Sequence, residues 1–107
     1  MKFDMNGYVW QVKIVQANSN DLCRSDGTIT VGVTDSSQLT IYLSNRLRGA
    51  FLRKVMLHEF THALMFSYDY RLTLQEEEFV CDFLASNTDE VIFKVDEILN
   101  YEMSKVV

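Results

Sequence analysis

The chain has no proline, four glycines, two cysteines and two histidines in 107 residues. With no linker, low-complexity tract or internal repeat to divide it, and with 48% hydrophobic residues, it suits one domain over 1–107 with a single modest core. Two cysteines, Cys23 and Cys81, are too few for a disulfide scaffold or a four-cysteine zinc site, so both read as reduced thiols, one of them in the core. No run approaches the 18 or so apolar residues of a membrane span, and residues 1–7 carry no apolar stretch of a secretion signal. A cytoplasmic location with no membrane partner is therefore expected. Basic charge is scarce as well. The formal charge is −5, and ten of the fifteen acidic residues fall between Asp69 and Glu102, which excludes a nucleic-acid surface. The local cluster Arg46, Arg48, Arg53 and Lys54 reads as the solvated start of a helix.

What the chain does have is concentrated in His58-Glu59-Phe60-Thr61-His62. Residues four apart on a helix lie one above the other, so both imidazoles can reach one metal ion. Glu59, rotated by about 100°, stands beside that ion, placed to take a proton from a water that the metal activates. The surrounding run is apolar on most of its circumference, with only Arg53, Lys54 and Thr61 as a polar strip, so the helix is expected to be buried. Two imidazoles and a carboxylate in such a setting cost several kcal/mol unless they are paired or bound to metal. The bland alternative, two core histidines bonded to backbone carbonyls, leaves the spacing, the acid and the setting to coincidence.

Around this helix the expected architecture is α+β: a small, twisted, largely antiparallel three-stranded sheet followed by three helices, with the histidine motif on the central helix. Alternation over 8–15 predicts the first strand. The turn-rich stretch 17–27 predicts a loop, and 28–33 and 39–43 predict two more strands. Ser44 or Asn45 is the expected cap of the motif helix, which runs to about Ser67, with Gly49 a weakness in its early turns. Thr73 and Glu76 form a capping box that opens a second helix to about Ala85. Asn87-Thr88-Asp89-Glu90 is read as the cap of a third, whose Val91, Ile92, Val95, Ile98 and Leu99 cover the core.

Catalytic zinc takes three protein ligands and an open position. There is no third histidine, so the remaining ligand is Asp, Glu or Cys. Glu78 and Asp82 share one face of the second helix, which makes Glu78 the best-placed third ligand, with Glu77 and Asp69 the next choices. Asp82 can then orient a ligating imidazole. Glu76 and Glu77 are read as solvated residues that favour a helix N-terminus, and Cys81 as a small apolar core residue. Tyr68, Tyr70 and Arg71, just past the motif helix, are the nearest candidates for an oxyanion helper.

The motif 58–62 with the downstream Glu78-Phe79-Val80-Cys81-Asp82 resembles the gluzincin metallopeptidases, closest to the ImmA/IrrE type, over roughly 39–85. The resemblance implies zinc held by His58, His62 and Glu78, with Glu59 as general base and Asp82 at the family's Asn/Asp position. It also implies a minimal zincin-like domain, a protein or peptide substrate, and a regulatory role in a phage or mobile element. Thr61 stands where the family commonly has glycine, and the proline that often follows the glutamate helix is absent. Three functions are open: a zinc endopeptidase, a zinc-holding but non-hydrolytic module that binds or inhibits a partner protein, and a metal-free structural domain.

Overall fold

The computed structural model describes residues 1–106. Strand β1 (Lys2–Met5) and strand β2 (Tyr8–Val15) form a hairpin about Asn6 and Gly7. Both turn residues have positive φ, 52° and 85°, which is the tight turn that matches strand twist and that Asn-Gly favours. Residues 16–31 then cross the end of the sheet, forming one 3₁₀ turn (Asn20–Leu22) whose Leu22 is fully buried. Strand β3 (Gly32–Asp35) runs back and turns into strand β4 (Thr40–Ser44).

The expected sheet is corrected here. Among the described residues it has four strands in the order β1-β2-β4-β3, and β2 pairs with β4 in parallel while the other two pairings are antiparallel. The physical reason lies in β4. Ile41, Tyr42 and Leu43 are all buried, a continuous apolar run that suits a strand covered on both faces. The more polar β3, with Thr34 and Asp35, takes the edge. The long crossover after β2 gives the chain room to place β3 outside and return through the centre.

The helices also differ from expectation, two among the described residues instead of three. Helix α1 (Gly49–Ser67) starts later than expected, with Arg48 at its cap and no side-chain capping bond. Gly49, with φ of 57°, is therefore the residue that turns the chain into the helix, and not a weak point within it. Helix α2 (Leu74–Ser104) is continuous for 31 residues. Asn87 does not cap a new helix because its Nδ2 donates to the Phe83 carbonyl one turn back, 2.9 Å away. No glycine or proline interrupts 74–104.

Helix α1 is the middle layer, with β3 and β4 on one side and α2 on the other. Trp10, Ile41, Leu43, Val55 and Ala63 form the core between sheet and α1. The Trp10 indole Nε1 donates to Ser67 Oγ at 2.8 Å, tying β2 to the end of α1. Thr61 was expected on a polar strip but is buried, its hydroxyl donating to the Leu57 carbonyl at 2.7 Å. Arg53 clasps Asp89 with two bonds of 2.7 Å. Past that contact α2 leaves the body, and Val91, Ile92, Val95, Ile98 and Leu99 are all exposed. They do not cover the core. No helix among the described residues is long and apolar enough to cross a membrane.

Candidate metal centre

On α1, His58 and His62 stack one turn apart, with ring centroids 5.0 Å apart and planes at 69°. Glu59 turns toward β3 and is only 7% exposed. The strand comes close because residue 32 is glycine: a Cβ there would lie 2.8 Å from Val55 Cγ1 and 3.1 Å from Glu59 Cγ. The Thr34 hydroxyl reaches both the Glu59 carbonyl, at 2.8 Å, and its Oε1, at 2.9 Å. One hydroxyl hydrogen serves both acceptors. The other carboxylate oxygen, Oε2, lies 4.0 Å from His58 Nε2.

The opposite wall comes from α2. Its first turn is fixed by the expected capping box, in which Glu76 accepts from the Thr73 backbone N–H and Thr73 Oγ1 accepts from the Glu76 N–H. The next two turns present Glu77, Glu78, Cys81 and Asp82 to α1. Asp82 Oδ1 lies 2.9 Å from His58 Nδ1, and Glu77 Oε2 lies 2.6 Å from His62 Nδ1. Each imidazole is thus held from behind by a carboxylate. Glu78 straddles the front of both rings, with Oε2 3.3 Å from His58 Nε2 and Oε1 3.0 Å from His62 Nε2.

This arrangement demands positive charge. An ionised carboxylate only accepts hydrogen bonds, so His62 Nδ1 must be the donor to Glu77, and a ring that presents its N–H to the acid behind it points, when neutral, a lone pair from Nε2. Two such lone pairs face the two oxygens of Glu78, acceptor against acceptor. A proton on each ring or one cation between them resolves the conflict. The separations of 3.3 and 3.0 Å are compatible with either, since nitrogen and oxygen donors about 2.0–2.1 Å from a tetrahedral ion are also about 3.3 Å apart. Two donor sets, His58–His62–Cys81 and His58–Glu78–Asp82, each have their ligand atoms within 4.8 Å of one another.

Glu77, read from the sequence as a solvated residue and only a second choice of ligand, instead packs against His62. It stands one turn before Cys81 on the ridge that meets α1, and that i, i+4 relation to a core position was the available signal. Thr34 and Gly32 come from a distant strand and left no local signal. Cys81 is fully buried. Burial first, and then the charges of Glu78, Glu77, Glu59 and Asp82, push its thiol up to about 12.

The centre opens into a cleft of about 1180 Å³ whose walls include Thr34, Glu59 and Glu78. Tyr68 and Tyr70 stand on its rim. Arg71 is not part of the lining, and it pairs with Asp69 at 3.3 Å instead. Asp69 borders the cleft but does not join the cluster of acids around the histidines. Comparison with protein-family models, with curated proteins and with solved structures finds no match to this chain.

Proposed function

We propose that the protein is a zinc-dependent endopeptidase in which His58, His62 and Glu78 hold the ion and Glu59 is the general base. The observation that carries this reading is the Glu78 carboxylate set across two Nε2 atoms whose Nδ1 atoms already face acids. When bound, zinc supplies Lewis acidity toward the scissile carbonyl and lowers the pKa of the attacking water. Glu59, oriented by Thr34 at the cleft wall, takes the proton of that water and passes it to the leaving amine. Asp82 and Glu77 keep the imidazoles in the tautomer and orientation that ligation requires. Tyr68 and Tyr70 are the candidate oxyanion donors at the rim.

The substrate is best accommodated as an extended peptide against β3. That strand ends the sheet and lines the cleft through Gly32, Val33 and Thr34, so its outer backbone groups can pair with an added strand. Strand β4 is paired on both sides and is not available. A protein or peptide substrate and a regulatory role in a phage or mobile element follow from the gluzincin resemblance and belong to the same proposal, as does a cytoplasmic location.

Elemental analysis paired with two variants tests it. The protein should carry about one zinc per chain. Glu59→Gln should retain the metal and lose cleavage of an unstructured protein, and His58→Ala should lose both. A chain that takes up no zinc on reconstitution would sink the reading. The second reading, a zinc-holding binder without hydrolysis, is favoured by the bare apolar second half of α2, a surface independent of the centre. In that case Glu59→Gln leaves partner binding intact and no cleavage is found in either form.

A further inference from the structure

Resting on the zinc reading above, we infer that Cys81 is a fourth protein ligand, whose sulfur enters the ion's shell from the core side, opposite the cleft. Cys81 lies on the same face of α2 as Glu78, one turn further on, and its side chain is fully buried between α2 and α1. The sulfur is within 4.8 Å of a ring nitrogen of both His58 and His62, and among the described residues no hydrogen bond engages it. Sulfur about 2.3 Å and nitrogen about 2.0–2.1 Å from one tetrahedral ion are about 3.6 Å apart, so those separations have about an ångström or less to close.

The direction of approach matters for the chemistry. His58, His62 and Glu78 line the cleft and Cys81 does not. A sulfur ligand on the side away from the cleft would leave the cleft face of the site to the water and substrate that hydrolysis needs. Ligation replaces the S–H bond with a sulfur–metal bond and releases the proton to water, so no oxidant is involved. A thiolate among the donors turns the site toward thiophilic ions such as zinc, cobalt and cadmium, and away from magnesium, calcium and manganese.

Cobalt(II) reports directly on such a ligand, because cobalt–thiolate bonds give an intense near-ultraviolet charge-transfer band that nitrogen and oxygen donors do not. The chain loaded with one equivalent of cobalt should show that band. Cys81→Ser and Cys81→Ala should lose it while keeping the weaker visible bands of bound cobalt, and they should bind the ion at least tenfold less tightly. Cys23→Ser, which alters the other, exposed thiol, should keep the band. Bound cobalt without the band, or a band that disappears with Cys23, overturns the assignment of Cys81 and leaves the histidine–glutamate centre standing. A chain that binds no cobalt at all overturns both. If the Cys81 variants do not fold, the spectra of the parent and of Cys23→Ser still decide the question.

Discussion

Gly32→Ala probes the contact that sets Glu59, the proposed general base, against the strand. The substituted Cβ would sit 2.8 Å from Val55 Cγ1 and 3.1 and 3.3 Å from Glu59 Cγ and Oε2, all inside ordinary van der Waals distance. Val55 is buried, and a valine on a helix has one strongly preferred χ1, so it has little freedom to turn away. The remaining relief is for β3 to back off α1. Forcing an extra methyl into a packed interior in this way costs about 1–3 kcal/mol. Chemical denaturation should show a lower midpoint at unchanged slope. The same retreat pulls Thr34 from Glu59, and a misplacement of about 1 Å at a reacting group can cost on the order of 100-fold in rate, so peptide cleavage should fall at least tenfold. Zinc content should not change, because His58, His62 and Glu78 make none of these contacts. An alanine variant with parental stability and parental cleavage would refute the close approach and, with it, the role given to β3.

Glu77→Gln and Asp82→Asn should each weaken zinc binding by about 10–100-fold, the usual effect of losing the acid behind a ligating histidine, measured by competition with a chelator. Unchanged affinity would mean that these acids do not orient the rings. At the start of α2, the Thr73 backbone N–H and hydroxyl hold the Glu76 carboxyl below its ordinary value of 4.5. A carboxylate depressed by folding stabilises the native state above pH 4.5, and that contribution is lost as pH falls through the lowered value. Protection of the amides in the first turn of α2, taken relative to their intrinsic exchange rates, should therefore fall below pH 4.5 in the parent, and Glu76→Gln should lack that step.

How much of this was legible depends on whether the determinant was local. The stacking of His58 and His62 beside Glu59 follows from spacing within one turn of helix, and the placement of Glu78 and Asp82 opposite them from sharing a helical face. The capping box at Thr73 was readable for the same reason. The hairpin at Asn6-Gly7 carried a local signal too, but only four residues precede it in β1, too few for alternation to register. Strand order was not legible. A 16-residue crossover permits either a meander or an inserted hairpin, and what decides is which strand is apolar enough to be covered on both faces. Asn87 shows the limit of a side-chain signal, since the group that caps a helix start can equally bond one turn back inside a helix.

On the proposed reading, the same geometry makes the zinc ion part of what holds α2 in place. Of the 31 residues of α2 only Cys81 is fully buried, with Val80, Leu84 and Ala85 half-buried beside it, so apolar burial accounts for only part of its attachment to α1. The Arg53–Asp89 clasp is exposed on both sides, and surface pairs of that kind contribute little. What remains between the helices is the cluster of Glu59, Glu77, Glu78 and Asp82 about two imidazoles, in which four acids repel one another unless a cation lies among them. The core of Trp10, Ile41 and Ala63 needs no such help. Metal removal should therefore act unevenly. With a chelator, amide exchange should rise across residues 77–88, while the buried Trp10 indole, bonded to Ser67, should keep its fluorescence spectrum. Uniform loosening of sheet and helices would mean that the ion holds the whole fold together, and exchange unaltered by the chelator would mean that α2 stays docked without it.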